Sequence, residues 1–159
     1  MNVYLAFLDG FGGDRVGRSF DEILAWDDAE LESTHDYIQW LFPTSQPSAF
    51  NPHAPVLNAQ LAREIRNSPE RLARIRAAFG RMLAFYGFGF DGQSEVGPHD
   101  GKMRPWMQPN DHNHLRITRI LTHLREVGLD DLAASFRGRL RELPTTISTP
   151  ETRRFWGLA

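Results

Sequence analysis

The feature that most constrains this chain is an apolar stripe running from Leu72 to Tyr86. Leu72, Ile75, Phe79, Met82, Leu83 and Tyr86 recur at three- and four-residue intervals, which puts them on one face of a helix of about five turns. Ser68-Pro69-Glu70 supplies an N-cap, a proline at the first helical position and an acid in the first turn. Gly87 supplies the stop, so the spacing predicts a helix over 69–86. Gly80 lies inside it at a cost of roughly 1 kcal/mol relative to alanine, and is expected to permit close contact with another helix. A stripe this long must be covered by other apolar faces. The 159 residues, 41% of them apolar, are enough to bury one sizeable core.

Other segments extend the helical pattern. Leu31, Thr34, His35, Ile38, Leu41 and Phe42 share one side of a helix near 31–42, which Pro43 stops. Trp40 lies opposite that stripe. It is expected either to seal a central helix against a second layer or to face a partner, and cover by the core is the favoured reading. Ser19 and Glu22 form a capping box for a short helix reaching Trp26. Pro55 opens a helix to about Arg66, with Leu57, Leu61 and Ile65 on one face. Ile117, Ile120, Leu121 and Leu124 form the buried face of a helix near 112–127, closed by Gly128. A partner near 131–142 buries Leu132, Phe136 and Leu140, and Thr149-Pro150 starts a last turn that docks Phe155 and Trp156. Residues 1–18 read as an irregular or extended arm, and 87–110 as a long Gly/Pro-rich connection anchored by Met103, Trp106 and Met107. No run alternates with a strand period. The expected fold is all-α, a single compact domain over 1–159 with about six helices.

Several function classes fit poorly. Cysteine is absent, which removes disulfides and thiolate metal sites. No segment has the roughly 20 apolar residues of a membrane span and no signal peptide is evident, so a cytoplasmic protein is expected. Residues 1–50 hold nine acidic and two basic side chains, whereas 51–81 hold six arginines against Glu64 and Glu70. That acidic front half, and the lack of a recognised module, argue against a nucleic-acid partner. GFGGDRVG lacks the Lys-Ser/Thr ending of a phosphate loop, so Asp14, Arg15 and Arg18 are expected to fix the turn by local pairs.

The candidate site centres on HNHLRITRIL. His112, Arg116, Arg119 and His123 form a basic ridge beside the apolar face. With Asn110, Asp111, Asn113 and the first backbone amides it suits a carboxylate or phosphate; the alternative is interhelical pairing with the acidic half. His35, Asp36, His112 and His114 do not show metal-ligand spacing, so no metal is expected, and no cofactor motif is present. The ligand-binding candidates are therefore Arg116, Arg119, His112, His35, Trp40 and Asn113, and the ligand a peptide or a small anionic molecule. The alternative is a hydrolase or transferase in which His35, His112 or His114 supplies acid–base chemistry.

HDYIQWLFP (His35–Pro43), NPHAP (Asn51–Pro55), MLAFYG (Met82–Gly87), HNHLRITRIL (His112–Leu121) and REVGL (Arg125–Leu129) resemble the conserved region of the opioid growth factor receptor family. GRSFDEILAW before them and TRRFWGLA after them resemble its flanks, so the resemblance covers about residues 3 to 158. It implies a receptor-like, signalling module. The vertebrate member is known as a receptor for a short enkephalin peptide, associated with the nucleus, and carries further segments after this region. A stand-alone, arginine-rich version is expected of a bacterial member, in which the receptor title need not carry the activity. The resemblance transfers no catalytic residue.

Overall fold

The computed structural model describes residues 2–158. It resolves into two compact units, one reaching Ala78 and one starting at Phe79.

The first unit opens with α1, Val3–Leu8, where an irregular arm is expected. Asn2 nucleates it by accepting the Tyr4 and Leu5 amides at 2.8 and 3.2 Å, which satisfies two of the donors a helix start leaves over. α2, Phe20–Leu24, carries the expected capping box. Between them the glycine-rich turn is closed by its own carboxylate. Asp14 accepts the Val16 and Arg18 amides and the Arg18 guanidinium, the last at 2.7 Å. Arg18 also reaches Asp36 at 2.8 Å, while Arg15 is exposed.

The expected helix over 31–42 is two short ones, α3 (Asp28–Ser33) and α4 (Ile38–Leu41). Thr34 turns extended, with φ −99° and ψ 130°. The Tyr37 hydroxyl folds back to donate to the Leu31 carbonyl at 2.8 Å. Serine, threonine and aspartate offer the backbone local alternatives to the helix, and Ser33-Thr34-His35-Asp36 is rich in them. Trp40 is 5% exposed and packs edge-on to Phe7 at 5.3 Å. Phe7 in turn meets Phe20 at 5.7 Å. Trp40 is thus core material. α5, Ala59–Arg66, is capped by Asn58 and buries Leu61 and Ile65. α6 spans Pro69–Tyr86, as its stripe predicts. In its first half Arg71 grips Asp9 through two bonds of 3.0 and 2.9 Å. Arg74 donates to the Leu8 carbonyl and covers the Phe20 ring.

The second unit takes the rest of α6 and then forms a hairpin, β1 (Phe88–Phe90) against antiparallel β2 (Val96–His99). Asp91 builds the turn by accepting the amides of Gln93, Ser94 and Glu95 at 2.8–3.1 Å. The outer edge of β2 is satisfied by side chains: the Ser135 hydroxyl accepts the Val96 amide and Arg139 donates to the Val96 carbonyl. Both residues belong to α8, Asp130–Arg141, which packs on β2 and on α7, Asn113–Glu126. Phe90 lies over Gly80, where a Cβ would come within 3.1 Å of the ring, so Gly80 is the seat of the hairpin. A 3-10 turn, Thr145–Ile147, leads to α9, Pro150–Phe155. Trp156 is buried whereas Phe155 is 61% exposed, and in the 100–112 segment Trp106 and Met107 are buried whereas Met103 is 73% exposed.

The all-α expectation is therefore overturned. The described residues contain nine α-helices, a 3-10 turn and a two-stranded sheet, a mixed α/β fold. The extra helices are short: Asn2 caps α1 and Asp27 caps α3, while α4 has no side-chain cap, and the sheet forms where the Asp91 turn and α8 side chains on Val96 supply bonds from outside the strands.

Candidate functional site

Tyr86 ends α6 and its carbonyl has no further helical amide to accept. Gly87, at φ +100°, swings the chain away. That carbonyl instead accepts the Trp106 indole at 3.2 Å and the His99 ring at 3.1 Å. Because the Gly101 amide donates to His99 Nδ1 at 3.0 Å, His99 is held with its proton on Nε2. Trp106 passes the connection on: its carbonyl accepts His114 Nε2 at 2.8 Å. The His114 carbonyl then accepts the Trp156 indole at 3.3 Å. His114 sits edge-on between Trp156 and Trp106, at centroid distances of 5.2 and 6.3 Å. It is 3% exposed, and its Nδ1 has no partner among the described residues. Burial pulls its pKa below the usual imidazole value, against the Trp106 bond and the Asp111 charge, which raise it. His114 is a neutral structural hub, and its ring nitrogens do not face solvent.

The start of α7 carries four of the expected ligand residues. His112 occupies the N-cap position and its side chain is 47% exposed, with Nδ1 3.8 Å from an Asp111 carboxylate oxygen. That same oxygen accepts the Asn113 amide at 2.9 Å and the Asn113 side chain at 3.0 Å, and the Asp111 carbonyl accepts the His114 amide at 3.0 Å. The first amides, expected to be open to an anion, are thus taken by Asp111. Asn113 is fully buried, and its Oδ1 accepts from Tyr86 at 3.5 Å and from Arg116 at 3.3 Å. Arg116 is 5% exposed. Arg119, three residues on and so on a neighbouring face, is half-buried, and desolvation lowers its pKa despite the opposing charge of Glu126. His123 is fully buried.

His35 and Trp40 belong to the first unit. His35 is exposed on the break between α3 and α4, and its carbonyl receives Gln39 Nε2 at 3.5 Å. Trp40 is buried as described. Among the described residues no three His, Asp or Glu side chains gather as metal ligands, and no helix is long and apolar enough to cross a membrane. Sequence spacing does not show that Trp156 bonds to His114, or that Tyr86 and His99 join the same network through Trp106. The signal available for them was the number of tryptophans and histidines flanking one helix start, since buried indoles and imidazoles require hydrogen-bond partners.

Comparison with known proteins adds lineage to this geometry. The family described as the opioid growth factor receptor conserved region matches residues 17–140. The opioid growth factor receptor of Homo sapiens is 39% identical over 108 residues, 65% of this chain and 16% of that protein. The opioid growth factor receptor-like protein 1 of Xenopus tropicalis is 34% identical over 121 residues, 72% of this chain and 23% of that protein. The mouse protein of the same name is 34% identical over 104 residues, 64% of this chain and 22% of its own length. The chain thus spans under a quarter of the length of these relatives. No solved structure matches it.

Proposed function

The chain belongs to the opioid growth factor receptor conserved-region family, and from that premise we propose that it is a recognition module rather than an enzyme. Its ligand is a peptide or small anionic group received at the first half of α7. The observation that carries this reading is the contrast between the two arginines. Arg116 is buried and held by Asn113, while Arg119 beside it is partly desolvated and still reaches the surface. A guanidinium stripped of part of its water forms stronger charge-assisted bonds, and a fixed neighbour reduces the ordering that binding costs. His112, half-exposed at the helix start, adds a further hydrogen-bonding group. The state of the three histidines that flank or lie on α7 supports binding over acid–base chemistry there. His99 and His114 are committed to main-chain carbonyls and His123 is buried, while the carboxylate nearest His112 is engaged by Asn113.

Calorimetric titration tests the reading, with a short enkephalin peptide and inorganic phosphate as probes. Wild type should bind at least one of them saturably. Arg119→Ala should weaken that binding by about tenfold or more, the worth of one charge-assisted hydrogen bond, without altering the far-UV circular dichroism. Absence of saturable heat with both probes, or unchanged affinity in Arg119→Ala, contradicts it.

A further inference from the structure

The C-terminal end of α8, the 3-10 turn and α9 enclose a cleft of about 130 Å³. Its inner wall is apolar. Leu140, Ile147 and Trp156 contribute to it, each at most 4% exposed. Arg141 and Arg153 stand among its polar lining residues, and no aspartate or glutamate lines it. Arg153 is pinned through Nη1, which donates to the Thr145 and Ser148 carbonyls, both at 2.9 Å. Those neutral acceptors fix the guanidinium without cancelling its charge, and its Nε and Nη2 make no hydrogen bond to the described residues. Arg141 has no carboxylate partner among the described residues; the nearby Glu142 is taken by Arg139 at 3.2 Å. One turn earlier on the same face of α8, Arg137 keeps a buried Nη1 with no partner among the described residues. Two arginines lining one cleft, beside an apolar wall and with no acidic residue in the lining, form a site for an anion that carries its own apolar body.

We propose that this cleft binds a small monocarboxylate bearing a short branched or aromatic group. The carboxylate meets Arg141 and Arg153, and the apolar group lies against Leu140, Ile147 and Trp156. Size limits the apolar part: a cavity of roughly 150 Å³ accepts benzene, so a group of four to six carbons fills this one. The two halves of the ligand are both required. A neutral isostere leaves the guanidinium groups without a counter-charge, and inorganic phosphate leaves the wall against water. The site is separate from the arginines of α7 and does not depend on the reading of that helix.

The test is a ¹H–¹⁵N NMR titration of the full chain with sodium isovalerate, isovaleramide and sodium phosphate at matched ionic strength. Isovalerate should give saturable shifts concentrated at residues 140–158. They should include the Trp156 indole proton, which lies against the His114 carbonyl. Isovaleramide and phosphate should each bind at least about tenfold more weakly, and Arg141→Ala should weaken isovalerate by a similar factor. Arg141 is exposed, so its loss spares the fold, whereas Arg153 also holds the turn and is the less decisive variant. The proposal is overturned by an absence of saturable shifts at residues 140–158, by equal affinity of the amide or of phosphate read at those residues, or by undiminished affinity there in Arg141→Ala.

Discussion

Replacing Trp40 by alanine empties the aromatic cluster that joins α1 to α4. The indole is 5% exposed and lies edge-on to Phe7, itself fully buried, at 5.3 Å. A buried tryptophan withdraws on the order of 150–250 Å² from water. Losing most of that at about 25 cal/mol per Å² costs about 3–5 kcal/mol, the range found when large aromatics are truncated in cores. Loss of the edge contact adds about 0.5–1.5 kcal/mol, and partial collapse of the site offsets some of the total. Against a typical stability of about 5–15 kcal/mol, the variant should remain folded but much weakened. Urea denaturation followed by far-UV circular dichroism should show the midpoint falling by about 1–3 M, and Trp40→Phe, which keeps a ring against Phe7, should recover part of the loss. A cost below about 1 kcal/mol would refute the core assignment and return Trp40 to the surface as a contact for a partner.

Other perturbations test other parts of the structure. Gly87→Ala should cost about 1–3 kcal/mol, read from thermal unfolding, because φ there is +100° and a Cβ would run into the Arg104 guanidinium and come within 2.8 Å of His99. Stability should fall as pH drops below about 6.5, the unfolded imidazole value. The native His114 has a lowered pKa, so below that pH the unfolded chain takes up a proton that the folded one does not, until the folded pKa is reached. His114→Gln should flatten that slope between pH 7.5 and 5, and an unchanged slope would show that another group carries it. Tyr37→Phe should cost about 1 kcal/mol by deleting the bond to the Leu31 carbonyl, an effect visible in the same denaturation assay.

The parts of the fold that were legible in the sequence are those where cap and stripe agree. Ser68-Pro69 and Gly87 bracket α6, and Ser19 with Glu22 opens α2. Ile117, Ile120, Leu121 and Leu124 are the buried face of α7, as their spacing predicts. Where only one signal was present the reading failed. VYLAFL buries four of its six residues, so no polar face marks it as a helix. The stripe from Leu31 to Phe42 keeps helical spacing across a break that side-chain hydrogen bonding imposes at Thr34–Tyr37. The strands are three and four residues long, too short to show alternation, and they depend on Ser135 and Arg139 from far along the chain. The candidate site was legible as a basic ridge. Its supports were not, because the bonds to Asn113 and His114 come from Tyr86 and Trp106, residues that sequence spacing cannot bring to α7.

The most direct test of the recognition reading is an amide-shift map of the ¹⁵N-labelled chain during titration with a short enkephalin peptide. The account predicts saturable shifts that are largest over residues 112–119, with the Arg119 side-chain Nε–H among them, and their loss in Arg119→Ala. With inorganic phosphate titrated in the same way, a map with no saturable change for either probe, or one whose largest shifts fall outside α7, would contradict it.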